Sequence, residues 1–366
     1  GESARFSKGA LVELDKVPLK YEGLDLWEIW VSESQERMTV AIKPEDLKRF
    51  MQLSEKHEVE STVIGQYTDS GRLHITYQGE TCAYVDLALL ESGFPQWEFE
   101  AEWVLPEHRG LREPVLGPPD NQRRILLTML SRPNIASKEW IVRQYDHEVQ
   151  GTSVVKHLVG SERDVPNDGV VLRPRLDSLR GLATAQALNP TYSRIDAYHM
   201  TACTIDETVR RLLAVGGSLE HLGGVDNFCW PNIQYDPESN PDGKLKAAQL
   251  VRANWALRDY CLGFGIPLLS GKDSMYVDGN LEGDFGERHK VSGLETLQFT
   301  GTSVIEDVQR CLTMEPKVPG DFLYVLGVTR NELAGSEYYD LYGYTGLNVP
   351  QVKLEEVLPL YQALEQ

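Results

Sequence analysis

An α+β module followed by an α/β unit is the fold class this sequence predicts, and three patterns predict it. Short apolar stretches separated by Gly, Asp and Ser turns fill the first region, to about Trp103. Two long runs with helical apolar spacing, 196–215 and 244–262, dominate the chain beyond residue 154. Short strand-like segments flank those runs and are joined to them at glycines, the order of an α/β architecture.

In the opening region, 28–31 and 38–42 read as strands around a polar interruption. Pro44 starts an amphipathic helix to about Glu55, with Glu45 and Asp46 in its first turn. Residues 59–65, 72–77 and 81–86 read as further strands, turning at Asp69-Ser70-Gly71 and Gln78-Gly79. Across 104–150 the composition changes. Pro106, Gly110, Pro114, Gly117, Pro118 and Pro119 deny regular hydrogen bonding, so this stretch reads as a linker with short helices at 125–131 and 138–150.

The second unit spans 151–328. Strands are expected at 170–172, 182–187, 266–269, 296–302 and 322–328, and Gly216-Gly217 and Gly263 stop the two long helices. The final stretch, 329–366, is too short for a domain of ordinary size and reads as the start of one.

The chain has 366 residues, with 36 Lys and Arg against 55 Asp and Glu and a net charge of -19. Such acidity excludes a broad basic surface for nucleic acid, while Lys8, Lys16 and Lys20 leave room for a small phosphorylated ligand. Five scattered cysteines form no CxxC pair, which fits a reducing compartment, with cytoplasm as the expectation. No apolar run is long enough to suggest a membrane span. Gly1-Glu2-Ser3-Ala4-Arg5 has neither an initiator Met nor a signal stretch and reads as the middle of a longer protein.

Three polar clusters could carry chemistry. In Ser32-Glu33-Ser34-Gln35-Glu36-Arg37-Met38, Glu33 and Gln35 could hold a sugar hydroxyl or amide and Arg37 a carboxylate; a polar turn closed by a salt bridge explains the same residues. In Ser270-Gly271-Lys272-Asp273-Ser274, Gly271 would admit a phosphate to the backbone and Lys272 would neutralise it. Asp273 could hold Mg²⁺, and Ser274 could reach the substrate or the same ion. An ordinary strand-end turn collects the same residue types, and the spacing is not that of a Walker A loop. In the run 223–228, Asp226 and Asn227 could read an adenine edge or a ribose, or the glycines could simply mark a loop. Asp196 reads as a helix N-cap, and the histidines and cysteines assemble no nucleophile or metal signature.

The run 27–38, Trp-Glu-Ile-Trp-Val-Ser-Glu-Ser-Gln-Glu-Arg-Met, strongly resembles the synthetase subunit of phosphoribosylformylglycinamidine synthase. Residues 15–19, 140–155, 181–217, 246–276 and 329–339 are similar to the same family. The resemblance implies AIR synthase-related domains: the end of a C-terminal-type domain, a linker, a second-half nucleotide domain and the opening of a last domain. It implies ATP-dependent conversion of formylglycinamide ribonucleotide and ammonia to the amidine, with Mg²⁺, a glutaminase partner, a small accessory subunit and a possible homodimer. The family's first-half catalytic residues would then lie before Gly1.

By motif, Glu33, Ser34, Gln35 and Ser274 are implied as substrate contacts, and Asp226 and Gly271 as ATP contacts. The family pattern at the last motif places a Mg²⁺-binding asparagine where Lys272 stands. A protonated lysine cannot ligate a cation, so Asp273 becomes the metal candidate and Lys272 a phosphate contact. Two other readings remain: a non-catalytic nucleotide-binding homologue, and another ligase or kinase of the AIR synthase superfamily.

Overall fold

The computed structural model describes residues 7–32, 37–92, 96–144, 147 and 149–365, and these form two compact units, Gly1–Glu98 and Phe99–Gln366. Residues 99–103, expected with the opening region, group with the second unit.

The first unit is built on a four-stranded sheet ordered β2-β1-β3-β4, from β1 (Gly9–Glu13), β2 (Gly65–Thr68), β3 (Arg72–Tyr77) and β4 (Glu80–Asp86). Strand β1 pairs antiparallel with β2 and parallel with β3, and a hairpin through Gln78-Gly79 joins β3 to β4. Leu14, Ile29 and Ile75 are its buried apolar centre, with Val12, Leu26 and Leu73 packed around them. Helices α1 (Leu26–Val31), α2 (Leu47–Lys56) and α3 (Leu87–Ser92) complete the unit.

Several opening elements differ from their expected form. Residues 28–31 belong to α1 rather than to a strand, because Asp25 and Glu28 make a capping box in which the Glu28 carboxylate accepts the Asp25 N–H at 2.8 Å. Residues 38–42 and 59–64 are irregular, and the predicted strand at 59–65 is realised only from Gly65 onward.

The second unit centres on a six-stranded sheet ordered β11-β10-β14-β9-β8-β5. Its strands are β5 (Ser153–Val155), β8 (Val170–Leu172), β9 (Gly181–Leu188), β10 (Leu222–Cys229), β11 (Leu268–Ser274) and β14 (Thr296–Ile305). Two small hairpins, β6 (Leu158–Val159) with β7 (Val165–Pro166) and β12 (Asp278–Glu282) with β13 (Arg288–Ser292), stand outside it. Helices α4 (Gln122–Leu130) and α5 (Glu139–Val142) precede the sheet in sequence; α6 (Ala197–Ala214) and α7 (Gly243–Phe264) lie within it, and α8 (Glu337–Leu341) and α9 (Leu354–Glu365) come after it.

Burial alternates strictly along β14 and along β9, so one face of each strand is packed and the other is open. Helix α6 covers the packed face: Thr208 donates its hydroxyl to the Phe299 carbonyl at 3.2 Å, and a Cβ at Gly301 would strike Thr208 and Leu212. Asp196 caps α6 by accepting the Tyr198 N–H at 2.9 Å, and Gly265, left-handed at φ 72°, closes α7. Among the described residues, the helix expected over 138–150 is realised as α5, and 322–328 forms no strand. No helix among the described residues is long and apolar enough to cross a membrane.

Candidate functional site

Strands β10 and β11 run parallel at one edge of the six-stranded sheet, and they carry Asp226, Asn227, Gly271, Lys272, Asp273 and Ser274, all singled out by sequence. Their register pairs Asp226 with Gly271, Asn227 with Lys272, Phe228 with Asp273 and Cys229 with Ser274. Successive side chains of a strand point to opposite faces. The pairing therefore sorts the cluster into two sets.

Asp226, Gly271 and Asp273 lie on the helix-covered face. Asp226 is only 9% exposed, and a Cβ at Gly271 would lie 2.8 Å from its Oδ1, so the glycine makes the room that the carboxylate occupies. Burial raises the Asp226 carboxyl above its ordinary value, and the charge of Asp273 raises it further. Lys272 and Ser274 lie on the open face, where the ammonium meets the Ser274 hydroxyl. Asn227 shares that face, and its Oδ1 is buried with no hydrogen-bond partner among the described residues.

The structure thus brings Asp226 to Gly271 and Asp273, brings Lys272 to Ser274, and turns these two sets away from each other across the sheet. Glu33, Ser34 and Gln35 lie outside the described residues. Among the described residues, no three His, Cys, Asp or Glu side chains gather as a metal-binding group.

Sequence reasoning passed over the group that fixes the loop after β10. Lys246 on α7 is 6% exposed, donates to Asn240 Oδ1 at 2.9 Å and pairs with Asp242 at 2.8 Å, while its carbonyl accepts the Trp230 indole N–H at 3.0 Å. The Asn240-Pro-Asp-Gly turn was its sequence signal, since such a turn fixes a loop next to a helix start. Asp206 and Glu207 diverge, as adjacent helical residues must: Asp206 accepts from Tyr361 at 2.6 Å, and Glu207 pairs with Arg211 at 2.6 Å.

The phosphoribosylformylglycinamidine synthase subunit PurL of Methanopyrus kandleri is 32% identical over 369 residues, which is 98% of this chain and 46% of that protein. This chain is similar to PurL along nearly its whole length. The PurL subunit of Thermoplasma acidophilum is 29% identical over 356 residues, 95% of this chain and 43% of its own length. The chain therefore spans about half the length of these curated PurL relatives.

Residues 1–78 match the family described as AIR synthase related protein, C-terminal domain. Among solved structures, Thermotoga maritima PurL complexed with ADP matches with TM-score 0.54 and 23% identity, over 84% of this chain and 44% of that one. The same protein complexed with FGAR gives TM-score 0.54 and 23% identity, over 84% of this chain and 42% of that one. At that identity the PurL match shows the fold alone, a mixed α/β architecture that includes an AIR synthase-related domain.

Proposed function

We propose that this chain is part of an ATP-dependent C–N ligase that converts formylglycinamide ribonucleotide and ammonia to formylglycinamidine ribonucleotide in the cytoplasm. The observation that carries the reading is the Asp226–Gly271 cradle at the parallel edge of a PurL-type sheet, where a residue without a Cβ leaves a buried carboxylate in place. In this reading Asp226 and Gly271 contact ATP, Lys272 contacts phosphate and Ser274 contacts the ribonucleotide; the family motif also implies Glu33, Ser34 and Gln35 as substrate contacts.

The two carboxylates fit a divalent cation. Asp226 and Asp273 share one face, and the burial and mutual repulsion that raise the Asp226 carboxyl would both be relieved by Mg²⁺. When bound, Mg²⁺ would neutralise phosphate charge. The substrate's amide oxygen attacks the γ-phosphoryl group, ADP leaves, and ammonia displaces phosphate from the activated amide carbon. The chain's own contribution is positioning, charge neutralisation and exclusion of water. A glutaminase subunit would supply ammonia, and a small accessory subunit and a second copy are the other expected partners.

Calorimetric titration of the full chain with ATP, with and without Mg²⁺, tests the reading. Saturable ATP binding that Mg²⁺ strengthens and Asp226→Asn weakens is expected. Absence of ATP binding, or binding indifferent to both changes, would reject it.

A further inference from the structure

We infer that His147 and His157 form a two-histidine site for a borderline divalent metal ion such as Zn²⁺, where the turn after α5 meets the chain between β5 and β6. The site is separate from the residues assigned to ATP and the ribonucleotide, so the inference goes beyond the ligase reading and does not depend on it. The two imidazole rings lie 5.8 Å apart, centre to centre, with their planes 30° from parallel. An imidazole nitrogen binds Zn²⁺ at about 2.0–2.1 Å, which puts two ring centres about 5 Å apart when both hold one ion in tetrahedral geometry. The observed pair has to close by less than about 1 Å, a small side-chain rotation.

The chain holds both carriers near each other. His157 stands between Val155 on one side and Leu158 and Val159 on the other, all three buried, and its carbonyl accepts the Asn167 N–H at 2.9 Å. Asn167 is itself fixed: its side-chain amide donates to the Gly169 carbonyl at 2.7 Å and accepts the Met314 N–H at 2.9 Å. His147 follows α5 in sequence, and Arg143, the C-cap of that helix, donates to the Arg163 carbonyl at 2.6 Å. That bond ties the end of α5 to the loop after β6. An ion shared by the two rings would join the same segments a second time.

The chemistry of the donors selects the ion. Imidazole suits Zn²⁺, Cu²⁺ and Ni²⁺, whereas Mg²⁺ takes oxygen ligands, so this ion is not the one that Asp226 and Asp273 would hold. A histidine binds metal in its neutral form. Burial, and then the charge of His147, lower the His157 value below the ordinary histidine range, which keeps a lone pair on its ring. Each histidine gives the ion one nitrogen, and its other nitrogen can keep a hydrogen bond that orients the ring. Two protein donors leave the remaining positions to water or an anion.

Calorimetric titration of the full, metal-stripped chain with Zn²⁺ tests the inference. Saturable binding that excess Mg²⁺ does not displace is expected, with a melting temperature that rises as Zn²⁺ is added. His147→Ala and His157→Ala should each weaken Zn²⁺ binding by about tenfold or more, since either removes half of the protein's ligands. Three controls should stay within about threefold of wild type, because they lie outside the pair. They are His289→Ala and Cys82→Ser, which remove an exposed imidazole and an exposed thiol, and Asp226→Asn in the candidate nucleotide site. Metal-free melting curves show whether each variant folds, and His157→Gln, which keeps a polar side chain without a ring nitrogen, repeats the test if alanine unfolds the chain. Absence of Zn²⁺ binding in the wild type, undiminished affinity in either histidine variant, or an equal loss in any control would overturn the inference.

Discussion

Asp226 and Gly271 are partners across a parallel strand pair, and a single methyl group at position 271 would lie 2.8 Å from the Asp226 carboxylate oxygen. Gly271→Ala should push that carboxylate aside, at a stability cost of about 1–3 kcal/mol for overpacking a half-closed site. Thermal unfolding with and without Mg-ATP checks this. A variant as stable as wild type that binds ATP equally well would show that the close approach has no consequence.

The raised Asp226 carboxyl makes a prediction about pH. Burial, and then the charge of Asp273, raise its value in the native state, so the folded chain holds this proton to higher pH than the unfolded chain does. Its contribution to stability is therefore lost as pH rises from the ordinary aspartate range through the raised native value. Asp226→Asn should be more stable than wild type at neutral pH and flatter across the acidic range, while binding Mg-ATP less well. Chemical denaturation at stepped pH measures it; a neutral-pH stability below wild type would contradict it.

Glu113 ties the proline-rich strap to the C-terminal segment. Its carboxylate accepts from the Leu347 N–H at 2.6 Å, the Asn348 N–H at 3.0 Å and the Tyr339 hydroxyl at 2.8 Å. Burial alone would raise its carboxyl, but the three donors together hold it below the ordinary glutamate range. The linkage is opposite to that of Asp226: the stabilisation is present above the ordinary range and is lost as pH falls through the lowered native value. Glu113→Ala should cost about 1–3 kcal/mol at neutral pH by leaving these donors unpaired. The difference from wild type should shrink in acid, which urea melts at two pH values would reveal.

A second anchor holds the strap at the start of α6. The Arg252 guanidinium donates to both oxygens of Asp196, at 2.9 and 2.5 Å, and lies 4.3 Å from the centre of the Trp103 ring. Arg252→Lys keeps the charge but loses the two-pronged geometry and most of the stacking. It should destabilise the second unit by about 1–2 kcal/mol, and Trp103→Ala combined with it should cost less than the sum of the two separate losses. Strictly additive losses in a double-mutant cycle would mean that the three residues do not act as one unit.

The parts legible in the sequence were those where one periodicity ran long enough to outvote local chemistry. Helices α6 and α7 and the alternating β9 and β14 emerged close to their observed limits. Where the run was short, the apolar content misled: 28–31 is helical because Asp25 and Glu28 cap it, and that D-x-x-E signal was present but outweighed by Trp, Ile and Val. The candidate site was half legible for a similar reason. Residues 270–274 were read as one cluster, whereas a strand presents alternate residues to opposite faces, so Lys272 and Asp273 cannot serve one ligand from the same side. For Lys246 the signal was partial: the Asn240-Pro-Asp-Gly turn marks a fixed loop before α7, but not which lysine is buried against Asn240 and Asp242.

The run 322–328 offers the last prediction. Its apolar, β-prone residues were expected to form a strand, yet Phe322, Leu323, Tyr324 and Val325 are 84%, 92%, 80% and 86% exposed and belong to no sheet. A strand is stabilised by cross-strand pairing rather than by its own propensity, and no partner strand among the described residues is hydrogen-bonded to it. Left unpaired, such a segment is a template for association between copies. Replacing Leu323 and Val325 together by Lys should therefore lower concentration-dependent light scattering. It should change unfolding free energy by no more than about 0.5 kcal/mol, because exposed side chains away from any packing contribute little to the folded state. Unchanged scattering with a large loss of stability would mean that these side chains are packed after all.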